Sequence, residues 1–150
     1  MRSVLRLLLA VVVIGALQSS SVGVATAARA SVEEQFVSAV NGERAKYGLA
    51  PLTVNLQLQG VASDWTDSMA TRCPTGLAHN PSLETDVPPG WRSLGENVAC
   101  GGSVKKLTNA LLKSPLHRAN ILGDFDSIGI GVTGNRAALW VTQIFAAYGP

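Results

Sequence analysis

The sequence is poor in the residues that carry metal and nucleophilic chemistry. Its 150 residues hold two cysteines and two histidines. Neither an H-E-x-x-H helix nor a serine elbow is present, so the familiar sequence signatures of zinc peptidases and serine hydrolases are excluded. No apolar run reaches the roughly 20 residues that cross a bilayer, which argues against a permanent membrane helix. No basic run or stripe is found, which speaks against nucleic acid and against a polybasic membrane surface. There is no internal repeat and no low-complexity segment. The length is enough for one domain with a real core and too short for two.

What is present begins with an export signal. Arg2 and Arg6 precede the apolar run LLLAVVVIGAL at 7–17, and a small-residue stretch ending VATAARA follows. That order is the n-region, h-region and A-x-A site of a secretory signal peptide. The expected organisation is a signal over 1–27, with cleavage as late as 30, and a domain over 31–150. Cleavage after Ala27 removes Arg2 and Arg6 and leaves ten basic against ten acidic residues, so the basic balance belongs partly to the signal. No cysteine lies near that point, so nothing indicates lipid attachment there. The expected location is secreted or extracellular, and the expected state a monomer. In an exported protein Cys73 and Cys100 read first as a disulfide, worth about 3–4 kcal/mol in the chain-entropy view. A cysteine nucleophile paired with His117 or His79 is the alternative.

SVEE at 31–34 is a capping box that predicts a helix from Ser31, with Val32, Phe36, Val37, Val40 and Tyr47 on its apolar face and Gly48 at its end. A second helix is expected from about Asn55, with Leu58, Val61, Ala62, Trp65 and Met69 as core. From Arg72 to Trp91 the pattern dissolves among prolines and glycines, and loops of that length are often functional. SLGENVA at 93–99 reads as a strand with Leu94, Glu96 and Val98 on one face. Gly101 and Gly102 break it, and Ser103 caps a helix striped by Val104, Leu107 and Leu111. Ser114 and Pro115 restart the backbone as N-cap and N1 of short turns ending by Gly123. IGIGV at 128–132 alternates with glycine, so something is expected to pack very close to that strand. TGN at 133–135 marks a hairpin. The returning LWVTQIFAAY is apolar on both faces, with Leu139, Val141 and Phe145 opposite Trp140 and Ile144, and so covered on both sides. A helix/sheet/helix sandwich follows.

His79 lies in a proline-flanked loop, Glu96 on an apolar strand face and His117 in the first turn of a short helix. The partial positive charge of a helix start disfavours imidazolium, which keeps His117 available as ligand or base. Two neutral histidines and a carboxylate suit a divalent metal, although spacing alone does not bring the three together. Each also has a purely structural reading. Glu96 could organise the loop from a buried position, His117 could bond Glu96 without metal, and His79 could be a loop residue at the surface.

The segments VNGERAKYGLAPLTVNLQL, LAHN, GENVA, SPLHRANIL, SIGIGV and VTQIF, in that order from about Phe36 to Tyr148, resemble the bacterial branch of the CAP superfamily. That superfamily comprises the cysteine-rich secretory, antigen 5 and pathogenesis-related 1 proteins, with SCP-like domains. The resemblance implies a three-layer α-β-α sandwich with a mainly antiparallel sheet. It also implies a cleft where His79, Glu96 and His117 converge. Some members hold divalent metals there, zinc among them, and members have been linked to sterol or lipid binding, protein interaction and proteolysis. The sequence departs from the pattern at Leu116, where glycine is usual, and at Leu111, where tryptophan is common. A second acidic residue has only Asp86 and Glu84 as nearby candidates. The cysteine-rich extension of animal members is absent. Asn41, Arg44, Asn120 and Gln143 read as structural, and a Cys73–Cys100 bridge would link the approaches to His79 and Glu96. Two functions are expected to compete. One is an exported binding module whose cleft takes a divalent metal such as zinc, a small ligand, a lipid or an extracellular protein. The other is a metal-assisted peptidase or esterase with Glu96 as base.

Overall fold

The computed structural model describes residues 20–72, 77–135 and 137–149. Along the chain run α1 (Ser20–Lys46), β1 (Thr53–Val54), α2 (Leu56–Arg72), α3 (Leu83–Asp86), β2 (Ser93–Gly101), α4 (Val104–Lys113), α5 (Pro115–Ile121), β3 (Ser127–Gly134) and β4 (Leu139–Ala147). The four strands lie in the order β1-β3-β4-β2, with β1 parallel to β3 and the other pairs antiparallel. Helix α2 covers one face of the sheet; α1, α4 and α5 cover the other. The expected three-layer sandwich is therefore the architecture observed. Among the described residues no helix is long and apolar enough to cross a membrane.

Strand alternation divides the core into two halves. Val141 and Phe145 of β4 join Ile128, Ile130 and Val132 of β3 under Phe36, Val40, Leu107, Leu111 and Ile121. Ile144 and Ala146, on the other face of β4, pack with Leu58, Ala62 and Val87. The glycine alternation of β3 faces α2, as the sequence anticipates. A Cβ on Gly129 would lie 2.6 Å from the Leu58 Cβ and overlap α2 backbone, and one on Gly131 would overlap the Ala62 carbonyl and the Ser63 nitrogen. The helix thus rests directly on bare strand. Thr66, fully buried, fills the seam: its Oγ1 lies 2.7 Å from the Ala62 carbonyl oxygen and 2.8 Å from Thr142 Oγ1.

The caps are those the sequence indicates, with one exception. Asn55 Oδ1 accepts from the amides of Gln57 and Leu58 at the start of α2, and Ser103 Oγ accepts from Lys106 N in α4. Pro115 is N1 of α5 behind Ser114, which takes the N-cap position without a side-chain hydrogen bond to the helix. The exception is Ser31, which lies inside α1 rather than at its start. Alanines at 25, 27, 28 and 30 are strong helix formers and carry the helix back to Ser20. The apolar run of the expected signal, within residues 1–19, lies outside the described residues, as does Cys73, so the disulfide call falls there too.

Tyr47 also departs from expectation. It does not extend the apolar stripe. Helix α1 closes in a Schellman turn, with Gly48 at φ +68° and the Leu49 amide bonding back to the Arg44 carbonyl at 3.1 Å. That turn carries Tyr47 to the surface, where the Arg118 guanidinium sits 5.2 Å from its ring centre.

Asn41 and Arg44 are structural, as the sequence indicates. Asn41 clamps Leu52 by both amide groups, accepting from its N–H at 2.8 Å and donating to its C=O at 3.0 Å. Arg44 is buried. It donates to the carbonyls of Ala50 (2.9 Å), Ile121 (3.0 Å), Gly123 (2.8 Å) and Phe125 (3.4 Å). Burial lowers its pKa and Asp124 works against that shift. One side chain thereby anchors the end of α5 to α1.

Candidate functional site

The site forms where the 77–82 loop and α5 meet the edge strand β2. Glu96 points to the α2 side of the sheet, paired across β4 with Ile144, and its side chain is 4% exposed. A buried carboxylate needs donors, and the loop supplies them. His79 Nδ1 lies 2.6 Å from Glu96 Oε1, and the Asn80 amide donates to both carboxylate oxygens at 3.0 and 3.4 Å. The backbone end of Glu96 is held from the other wall: its carbonyl accepts from Asn120 Nδ2 at 3.0 Å. One residue therefore ties together both segments that carry histidines.

His79 is open to solvent, with 64% of its side chain exposed. Its Nδ1 faces Glu96, which leaves Nε2 on the outer side of the ring. His117 is partly buried at the third residue of α5. Its carbonyl accepts from Asn97 Nδ2 at 3.1 Å, and Asn97 in turn donates to the fully buried Gln143 at 3.1 Å. Asn120 Nδ2 also donates to Asn97 Oδ1 at 2.9 Å. These three amides hold α5 against β2, the structural role expected of Asn120 and Gln143.

The His117 pKa is lowered, first by burial and second by the charge of His79. The direction is the one the sequence argument anticipates, but the causes are those two rather than the start of a seven-residue helix. Among the described residues it is His79, not His117, whose ring is set against Glu96. In metal-free protein the His117 ring should titrate below 6.5 by NMR. His79→Ala should raise it only part of the way, because burial is the larger cause. Titration of wild-type His117 at or above 6.5 would contradict this. A lowered folded pKa means the unfolded chain takes the proton first, so His117's contribution to stability holds above about 6.5 and declines as pH falls below it.

Of the two acidic candidates, Asp86 accepts from Asn80 Nδ2 at 2.9 Å, one step behind Glu96, whereas Glu84 is exposed on α3. The sequence marks Asn80 only as the residue before Pro81; the structure shows it buried and organising the loop. Its Oδ1 accepts from Ser82 N at 2.9 Å, an Asx turn that an Asn-Pro pair favours. Trp65, expected in the core, is instead partly buried, and its indole N–H donates to the Ala78 carbonyl at 2.9 Å beside His79. Two exposed leucines flank the histidines in sequence, Leu77 (47% exposed) and Leu116 (81%). Among the described residues no group of three or more His, Cys, Asp or Glu is gathered to hold a metal ion.

The α-β-α sandwich is the fold of the SCP-like domains. Residues 37–145 match the family model of CAP, the cysteine-rich secretory protein family, and the chain belongs to that family. Among solved structures it is similar to an outer surface protein of Borrelia burgdorferi, at 21% identity and TM-score 0.66, covering 77% of this chain and 92% of that one. It is also similar to a cysteine-rich secretory protein of Staphylococcus aureus, at 20% identity and TM-score 0.66 over 79% of this chain. An extracellular SCP-domain protein of Bacillus anthracis gives 24% identity and TM-score 0.65 over 79%. The chain spans 38% and 41% of the length of the latter two. These likenesses show the fold. No curated protein matches the chain.

Proposed function

We propose that this CAP domain is an exported binding module whose cleft of His79, Glu96 and His117 takes a divalent metal, with a small ligand or lipid at the same place. The observation that carries the reading is the 2.6 Å contact of His79 Nδ1 with a Glu96 carboxylate that is itself held by Asn80. A carboxylate behind a histidine fixes the tautomer and raises the basicity of the outer nitrogen, the arrangement found behind metal-bound imidazoles. The donors suit zinc: His79 and His117 would supply nitrogens, Glu96 would orient His79, and water or ligand would complete the set. A bound zinc would supply Lewis acidity at the mouth of the cleft. Export is supported by the signal-like N-terminus and by the outer-surface and extracellular relatives.

The hydrolase reading is weaker on this geometry. A general base must reach a substrate proton, and the Glu96 carboxylate is buried with both oxygens engaged. Calorimetric zinc titration of purified protein at neutral pH checks the proposal. Wild type should bind saturably, His79→Ala and His117→Ala should lose binding, and Glu96→Gln should weaken it about 10- to 100-fold. No uptake by wild type, or equal uptake by both histidine variants, would remove the metal from the reading.

A further inference from the structure

Gln143 is a polar side chain in an apolar place. It lies on β4 directly opposite Asn97 of β2, on the strand face that carries Val141 and Phe145 into the larger half of the core. It is fully buried. Its Oε1 accepts from Asn97 Nδ2 at 3.1 Å, whereas its Nε2 has no hydrogen-bond partner among the described residues. A buried amide with an idle donor lowers folding stability, and a methionine of the same length would carry no such penalty. Packing alone therefore does not call for glutamine here. What glutamine adds is an acceptor oxygen.

Asn97 uses that oxygen. Also fully buried, it shares its Nδ2 between Gln143 Oε1 and the His117 carbonyl, and its Oδ1 accepts from Asn120 Nδ2. His117 and Asn120 both belong to α5, so those two contacts move with that helix. The contact to Gln143 reaches instead into β4, which is paired on both sides by β2 and β3. It is the stop against which the Asn97 amide, and with it the start of α5, is set.

We propose that Gln143 is a positioning residue of the histidine cleft: through Asn97 it fixes where the main chain of α5 places His117, and it lowers folding stability in doing so. The inference rests on the reading of His117 as a cleft ligand, but its structural half is tested on metal-free protein. Gln143 acts through Asn97 rather than on the imidazole itself. An amide chain that runs from the core to the main chain of a ligand residue does the work of an outer-shell support, one step further back.

The test compares Gln143→Met and Gln143→Glu with wild type in the full chain. Gln143→Met removes the acceptor together with the idle donor. Its urea midpoint should be at or above that of wild type, since apolar atoms replace an amide that is only half paired. In metal-free protein, with chelator present at neutral pH, its His117 ring signals should shift and broaden; they are assigned by their loss in His117→Ala. Its zinc affinity should fall about 3- to 10-fold, less than the about 10- to 100-fold of a residue that touches a ligand directly. Gln143→Glu keeps an acceptor oxygen in the same place. It should restore the wild-type His117 signals while lowering the urea midpoint, because a carboxyl is then buried. The opposite behaviour of the two variants separates positioning from packing. The proposal is overturned if Gln143→Met leaves the His117 signals as in wild type, or if a folded Gln143→Glu fails to restore them. It is equally overturned if the Gln143→Met midpoint falls well below wild type, or if that variant binds zinc as tightly as a wild type that binds it. If wild type takes up no zinc, the metal reading falls, and the His117 signals of metal-free protein still decide the role of Gln143. Where Gln143→Glu does not fold, Gln143→Met decides alone.

Discussion

Gly131→Ala should lose a large share of its folding stability. The new methyl group would overlap the Ala62 carbonyl and the Ser63 nitrogen, which are main-chain atoms of α2. A crowded side chain can turn aside, but helix backbone cannot, so α2 must lift from the sheet. Lifting it would also part Thr66 Oγ1 from the Gly131 carbonyl, which lies 3.1 Å away, and from Thr142. Overpacking relieved by side-chain motion costs about 1–3 kcal/mol. Here the cost should exceed about 3 kcal/mol, a large share of the ~5–15 kcal/mol that holds a domain together. Urea unfolding measures it. The control is Gly60→Ala on the exposed side of α2, where nothing lies within 4 Å of the added atom. That variant should be neutral or gain up to about 1 kcal/mol from helix propensity. Equal unfolding midpoints for the two variants would show that α2 does not rest on bare strand.

Arg44→Met should be the second large loss. Methionine keeps much of the apolar stem but takes away every donor. The carbonyls of Ala50, Ile121, Gly123 and Phe125 would lose the guanidinium that meets them all. Leaving one buried polar group without a partner costs about 1–3 kcal/mol, so a loss of about 3 kcal/mol or more is expected. Arg44→Lys should recover only part of it, since a single ammonium cannot span the positions that a planar fork reaches. Hydrogen exchange tells where the damage falls. Amides of α5 should lose protection before those of β3 and β4. Uniform loss across the sheet, or full rescue by lysine, would contradict the anchoring role.

The two substitutions mark different kinds of information in the sequence. The close approach at Gly131 is legible because volume alternates along one strand, and the strand period assigns each residue to a face. The Ser103 cap, the Leu107–Leu111 stripe and the two-faced β4 are legible for the same local reason. The four carbonyls that Arg44 meets come from the turn after α1 and from the end of α5 with the loop that follows it, and no local pattern names them. The cleft lies between these cases. His79, Glu96 and His117 stand out through their order and family motifs, whereas their distances depend on how a proline-rich loop closes over an edge strand. The sequence marks Asn80 only as the residue before Pro81, because its hold on Glu96 is made by a backbone amide, which every residue except proline has. For Trp65 and Tyr47 the helical period gives the face of a helix but not where a neighbouring loop or a left-handed turn leaves the ring. Ser31 shows the converse, a good cap signal overruled by alanines on its N-terminal side.

Glu96 has a mechanical consequence. Its carboxylate holds the His79 loop and its carbonyl holds α5 through Asn120. Neither wall can swing outward without straining a contact to the same residue, which is itself fixed in the sheet. The edge strand thus acts as a brace across two segments that are far apart in the chain, and loosening either one should loosen the other through Glu96.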